Sequence, residues 1–404
     1  MSDFRLFDVK LSLRMKNDIS IFLNSRIEAG DFPSAVYLVA EKGEIVVQDA
    51  LGHSVVEPES IRAENDTIYD LASLTKPLVT GLLCAKLIES GGIGLDDKIS
   101  DHFEGFNTND KSGITIRNLV THASGFKAWL PFYLGQDAPV TEDVRTMGFC
   151  DKAVKDFVRG EIQRRPLMHA ADSWVIYSDL NFIVLGLLAE KLYGRDLNYI
   201  LVTEMYEKLG LFRTFYGGAE AMKHEIAASE KGNAFEKNTC IEQGFLPPEA
   251  SKIWLPEFRD DVIWGEVHDG NAYFMGGIAG HAGLFSTAEE TLKIARQFLP
   301  GSTTLLKPET CDLFRTNFTS GMNEHRSVAF QLASTPESTA GPQMSPESFG
   351  HLGFTGTSLW IDPVKERIFI LLTNRTHNRS LPFANINSVR RRFHDLANEF
   401  IDKY

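Results

Sequence analysis

The chain has 404 residues, with 41 Lys plus Arg against 54 Asp plus Glu, a net charge of -13. Phosphate backbones and anionic membrane surfaces repel such a chain, so no nucleic-acid or membrane partner is expected. With 43% hydrophobic and 24% charged residues it has the composition of a globular protein with a sizeable core, which excludes global disorder.

The length allows two compact units, or one large unit carrying a big insertion. Cys84, Cys150, Cys240 and Cys311 lie far apart, with no CxxC and no zinc-finger spacing, and read as free thiols. The start, MSDFRLFDVK, has no basic region followed by an apolar one, and the apolar run FIVLGLLA at 182–189 is too short to span a bilayer. A reducing, cytoplasmic location is the expectation.

In chain order, Met15, Ile19, Phe22, Leu23 and Ile27 recur at helical spacing, and Gly30 marks a stop. SAVYLVA and EIVVQDA, separated by Glu41, Lys42 and Gly43, predict a β-hairpin. From Ser73 the pattern is helical, with Val79, Leu83 and Leu87 on one stripe up to Gly91-Gly92. Between about 92 and 275 helical patterns alternate with polar and aromatic loops, and the clearest helix places Phe182, Leu185, Leu188, Ala189 and Leu192 on one face before Gly194. Gly276, Gly277, Gly280 and Gly283 predict tight turns packed at a domain return rather than a phosphate cradle, and Ser286 with Glu289 forms a capping box for the next helix.

Strand patterns return in SVAFQLA (327–333), FTGTSLWI (354–361) and RIFILLTN (367–374), and Ile386, Val389, Phe393, Leu396 and Phe400 form a last amphipathic helix. No internal repeat is present, and the one biased stretch is the Ser/Pro/Gly-rich segment 334–350. The expected fold is α+β. An antiparallel sheet region from residues 1–90 and 276–404 is flanked by helices, a mostly helical region at 91–275 is inserted, and the active site lies at their junction.

The chemistry begins at Ser73-Leu74-Thr75-Lys76. Residues i and i+3 of a helix share a face, so the Lys76 amine can reach the Ser73 hydroxyl. A serine needs such a base to attack at neutral pH, and the base is competent if its surroundings lower the lysine pKa. Alone, the pattern reads as an N-cap serine with a solvated lysine one turn later. Two further segments change that reading: Tyr177-Ser178-Asp179 directly before the 181–193 helix, and His351-Leu352-Gly353-Phe354-Thr355-Gly356-Thr357-Ser358-Leu359-Trp360 on a predicted strand.

With YDLASLTK around Ser73, these segments make the chain resemble the serine β-lactamase and penicillin-binding-protein family, on its class C side, which includes esterases and D-amino-acid peptidases. ITIRNLVTHASG, AGLFSTAEE and LLTNR match in the same order, so the resemblance spans nearly the whole chain. It implies a β-lactamase-like fold, Ser73 as acylated nucleophile, Lys76 as proton acceptor or relay, and Tyr177 as the proton shuttle. It also implies an oxyanion hole from the Ser73 and Phe354 N–H groups, and substrate contacts at Asp179, His351 and Gly353.

Three departures bear on the substrate. Asp179 stands where an Asn amide is usual, His351 where a lysine is usual, and Leu352 in place of a threonine hydroxyl, all of which weaken recognition of a lactam amide and carboxylate. The expected function is therefore a serine hydrolase of small esters or amides. Carboxylesterase ranks first, then D-amino-acid or cell-wall-fragment peptidase, then a weak β-lactamase; the alternative is a non-catalytic ligand- or partner-binding member of the same fold. No cofactor and no metal are expected, since His122, His268, His281 and His351 are dispersed and read as structural or surface residues. Trp129, Phe132 and Tyr133 read as loop packing before an acyl or aromatic pocket.

Overall fold

The computed structural model describes residues 17–139 and 150–403. Met15 of the expected first helix, and 140–146 of the segment after Trp129, lie outside the described residues. The principal helices are α1 (Asp18–Glu28), α2 (Leu82–Glu89), α3 (Lys152–Arg164), α4 (Asp179–Tyr193), α5 (Ala234–Glu242), α6 (Gly270–Phe274), α7 (Ala288–Ala295) and α8 (Asn387–Ile401). The strands are β1 (Ser34–Glu41), β2 (Glu44–Val55), β3 (Ile61–Arg62), β4 (Tyr69–Asp70), β5 (Phe215–Tyr216), β6 (Leu284–Ser286), β7 (Gln331–Leu332), β8 (Phe349–Leu352), β9 (Ser358–Asp362) and β10 (Arg367–Thr373).

Seven strands form an antiparallel sheet in the order β3-β2-β1-β10-β9-β8-β7, so the two chain ends share one sheet across the β1–β10 pairing. β1 is apolar at consecutive positions because both faces of the sheet are covered. Val36, Leu38 and Ala40 point into the large core shared with the helical region. Ala35, Tyr37 and Val39 point the other way, into a smaller core under α1 and α8 with Trp360, Phe369 and Phe393. Lys42 and Gly43, both at positive φ, close the β1–β2 hairpin.

Several elements differ from the sequence reading. SVAFQLA is a strand only at Gln331–Leu332: Ala329 sits at φ 64° and donates its N–H to the Val120 carbonyl, which breaks the run. His351 and Trp360 are not on one strand, because Gly353–Thr357 forms the turn of the β8–β9 hairpin. The cap of α7 is Thr287, whose hydroxyl accepts the Glu290 N–H, one residue beyond the expected Ser286. α4 is buried along almost its whole circumference rather than on one face. Its Gly186 explains part of the glycine cluster: a Cβ there would come within 2.8 Å of the Gly280 backbone, so both glycines are required by a close approach. A second sheet, β4-β6-β5, was not anticipated, its strands being two or three residues long. The four cysteines are buried free thiols. Among the described residues no helix is long and apolar enough to cross a membrane.

Candidate active site

Ser73 lies in a tight 3-10 turn, Ala72–Leu74, rather than in a regular α-helix. The turn is held by buried Asp70, whose carboxylate accepts the Ala72 N–H at 2.8 Å and the His268 N–H at 2.8 Å, with Ala72 at φ 47°. The chain then widens into a π-helical segment, Lys76–Gly81, before α2. The β8–β9 turn is tied to the same place, since Thr355 Oγ1 donates to the Asp70 carbonyl and Thr357 Oγ1 to the Leu71 carbonyl. At Gly353 a Cβ would come within 2.7 Å of the Leu71 carbonyl, so the glycine permits this contact. Among the described residues the Phe354 N–H takes no backbone partner.

Lys76 is fully buried and its Nζ donates to Ser73 Oγ at 2.9 Å and to the His281 carbonyl at 3.0 Å. Asp179, at the start of α4, completes its shell at 2.7 Å. Burial pulls the ammonium down, but the Asp179 carboxylate and the Tyr177 phenol outweigh it and hold Lys76 well above the ordinary lysine value. The neutral amine envisaged from the sequence is therefore not the resting state.

Tyr177 lies against the same lysine, with Nζ 5.1 Å from its ring centre, and its hydroxyl is buried without a well-formed hydrogen bond. Burial raises the phenol pKa against the pull of Lys76. Two histidine rings flank it, His122 at 4.6 Å and His351 at 5.7 Å between centroids. Burial, with the charges of Lys76 and Arg326, keeps both well below the usual histidine value and therefore neutral. Their tautomers follow from their partners. His351 Nδ1 faces the Leu352 carbonyl at 2.9 Å and must carry the proton, which leaves Nε2 a bare, unpartnered acceptor. His122 Nδ1 accepts the Ser178 N–H, so its proton sits on Nε2.

These groups meet in a cavity of about 820 Å³. Ser73, Tyr177, Asp179, His351, Gly353 and Phe354 all line it, with Lys76 beneath. The cavity also presents residues the sequence reading did not single out, notably Glu236, Asp269, Arg326 and Arg390. None has a local motif; they arrive from four separate segments. Arg326 binds Glu324 through Nε and Nη2 and lies 5.7 Å from the Tyr177 ring centre, which puts a permanent cation near neutral His351. Trp129 is on the cavity wall, Phe132 is buried, and the Tyr133 hydroxyl donates to Glu236.

The four histidines do not assemble into one cluster: His268 pairs with Glu230 and His281 with Asp269. Asp179, Asp269 and His281 do bring ligand atoms within 4.8 Å of one another. The Lys76 ammonium already contacts the Asp179 oxygen and the His281 carbonyl, so the positive charge such a set attracts is supplied by the protein itself.

A family model described as Beta-lactamase matches residues 22–390. The chain is 29% identical over 382 residues to an Escherichia coli (strain K12) protein named "Putative D-alanyl-D-alanine carboxypeptidase", covering 90% of this chain and 82% of that one. Among solved structures it is similar to EstCE1, described as a hydrolase with promiscuous acyltransferase activity (TM-score 0.68, 18% identity, 94% of this chain and 97% of that one). It is likewise similar to a class C β-lactamase from Rhodobacter sphaeroides (TM-score 0.65, 16% identity, 96% of this chain and 100% of that one). At these identities the structural likeness establishes the fold.

Proposed function

The chain belongs to the β-lactamase family, and on that premise we propose that it hydrolyses small esters or amides through an acyl-Ser73 intermediate. The observation that carries this reading is the 2.9 Å contact between Lys76 Nζ and Ser73 Oγ beside a cavity of about 820 Å³. Ser73 Oγ attacks the substrate carbonyl carbon, the bond to the leaving group breaks, and the serine proton ends on the leaving atom. As the Tyr177 phenol proton goes to the leaving atom, Lys76 gives an ammonium proton to the phenol oxygen and its freed lone pair takes the serine proton, so neither has to be deprotonated at rest. Water then attacks the acyl carbon, and Ser73 Oγ regains a proton. The Ser73 and Phe354 N–H groups serve as oxyanion donors.

Short esters are the leading substrates, because His351 is neutral, Leu352 offers no hydroxyl, and the amide-binding position holds the Asp179 carboxylate paired to Lys76. A second reading, a D-amino-acid carboxypeptidase, is favoured by Arg326, which restores a cation beside His351. Fluorophosphonate labelling read by intact mass should add one adduct to the wild type and none to Ser73→Ala. An unlabelled wild type would favour the non-catalytic binding alternative. p-Nitrophenyl butyrate should be hydrolysed with a higher kcat/KM than benzylpenicillin; a benzylpenicillin value of about 10⁵ M⁻¹s⁻¹ or more would overturn the ester preference.

A further inference from the structure

An acyl-Ser73 ester is released only when water attacks it, and water is a poor nucleophile at neutral pH unless a group at the site takes its proton during the attack. Most of the titratable groups around Ser73 are unsuited to that task. Lys76 is held as the ammonium and has no lone pair to offer. Burial raises the Tyr177 phenol against the pull of Lys76, so it keeps its proton. Burial, with the charges of Lys76 and Arg326, makes His351 a very weak base, and His122 carries its proton on the nitrogen left free by the Ser178 N–H.

Two of the three cavity carboxylates are occupied elsewhere. Asp269 Oδ1 faces His281 Nε2 at 3.0 Å and accepts the Ala272 N–H at 2.8 Å; although burial opposes it, the charge of His281 and these bonds hold the carboxyl far below its usual range. Glu236 accepts the Gly270 N–H through Oε1 and the Tyr133 hydroxyl through Oε2, and has no hydrogen bond or ion pair with Ser73 or Lys76 among the described residues.

Asp179 is placed differently. Its backbone is fixed on both sides: its own N–H donates to the Ala128 carbonyl, and Ser178 donates its N–H to His122 Nδ1 and its hydroxyl to the Lys127 carbonyl. Oδ1 meets Lys76 Nζ at 2.7 Å, whereas Oδ2 takes no hydrogen bond or ion pair among the described residues, and the half-buried side chain lines the cavity. Nζ is also 2.9 Å from Ser73 Oγ, so the carboxylate and the oxygen that carries the acyl group flank one ammonium, within the span of a bridging water. Asp269 presents an oxygen within 4.8 Å of one on Asp179, a gap that two ordinary hydrogen bonds from one water close. A water held this way turns a lone pair toward the acyl carbon. A carboxamide at position 179 can hold such a water but cannot take its proton.

We propose that Asp179 is the general base of deacylation, a step that rests on the acyl-Ser73 reading and completes it. The water oxygen bonds to the acyl carbon as its proton passes to Asp179 Oδ2, and the carbonyl electron pair moves onto the oxyanion. On collapse the bond from carbon to Ser73 Oγ breaks, and Oγ takes a proton from Lys76 Nζ. The Asp179 carboxyl turns about its Cβ–Cγ bond and returns its proton to Nζ. One acyl-serine and one water become a free acid and a free serine, with Lys76 and Asp179 as they began.

The test mixes p-nitrophenyl butyrate rapidly with the wild type and with Asp179→Asn at pH 7, following nitrophenol release and the intact mass of acid-quenched protein. Asp179→Asn should release a burst of about one equivalent, accumulate butyryl-Ser73 and then turn over roughly 100-fold more slowly or less. Its kcat and KM should fall together, a split that a general loss of structure does not produce. Hydroxylamine, which attacks esters without a base, should speed acyl release from the variant far more than from the wild type. If Asp179→Asn does not fold, Asp179→Ala replaces it with the same adduct expected. Turnover at the wild-type rate would pass the water to Tyr177 and overturn the proposal. So would a fall in kcat/KM equal to that in kcat with no adduct, which places Asp179 before the acyl-enzyme, or accumulation of the adduct in Glu236→Gln but not at position 179. A wild type that takes no fluorophosphonate on Ser73 would instead overturn the acyl-serine reading beneath it.

Discussion

Lys76 and Arg390 are both buried cations of the same cavity, yet their surroundings treat them in opposite ways. Lys76 meets a carboxylate at 2.7 Å and is held above its ordinary value despite complete burial. Among the described residues Arg390 meets only carbonyl and amide oxygens, and burial with the like charge of Arg375 pushes it down to about 9. Burial alone thus does not set the charge of a group; the presence of a carboxylate partner decides. The foot of the site, around Lys76, is internally balanced in charge, whereas the rim, around Arg390 and Glu236, holds charged groups without an ion-pair partner among the described residues.

The largest effect is expected at the foot. Lys76→Met should slow Ser73 labelling by roughly 100-fold or more, the usual scale for loss of a positioned proton carrier, as read by the time course of adduct formation. Labelling at the wild-type rate would remove Lys76 from the proton path.

Next comes its partner. Asp179→Asn keeps the shape but removes the charge that holds Lys76 up, and breaking a buried pair typically costs about 3–5 kcal/mol, less here because Asp179 is partly exposed. The pairing of a cation with a raised pKa contributes fully below the ordinary lysine range and is lost only as pH rises beyond it. The stability loss in urea should therefore be the same at pH 6 and pH 8, while the alkaline limb of the labelling profile moves to lower pH. A profile that does not move would mean Asp179 does not govern Lys76.

At the rim, Arg390→Met should leave the Gly353 and Thr357 carbonyls without their donor and destabilise by about 1–3 kcal/mol, measured by urea unfolding. It should also lower kcat for ester hydrolysis more than it raises KM, because the turn it clamps carries the Phe354 N–H. A stabilised variant would show that the desolvation of the guanidinium outweighs its bonds.

An effect of similar size, but dependent on pH, is expected at Glu236. Its raised pKa means the folded state prefers the proton, so its cost appears as pH rises from about 4.5 and is complete above about 7. Relative to wild type, Glu236→Gln should gain about 1–3 kcal/mol between pH 5 and pH 8 in the absence of ligand. Unlike the change at Asp179, this one has a pH slope, which distinguishes the balanced foot from the unbalanced rim.

How much of this was legible in the chain differs between the same two regions. Ser73 and Lys76 are three residues apart, and Tyr177 with Asp179 and His351 with Gly353 sit in compact runs, so the family resemblance that these runs carry brought the foot of the site into view. The β1–β2 hairpin, α4 with its Gly194 stop, β10 and α8 were readable for the same reason, since each has its own periodicity and punctuation. Elements of two or three residues such as β4, β5 and β6 have no period to read, and the positive φ of Ala329 cut to two residues a strand that the side-chain pattern had suggested over seven.

The family resemblance, the antiparallel sheet shared by the two chain ends, and the compact runs around Ser73, Tyr177 and His351 were readable along the chain. The tertiary structure decided the charge state of Lys76, the tautomers of His122 and His351, and the company of Glu236, Arg326 and Arg390. Those depend on distances between segments tens to hundreds of residues apart: Asp179 lies 103 residues beyond Lys76 yet 2.7 Å from its ammonium. Electrostatic energy depends on separation and burial in space, neither of which a linear spacing encodes.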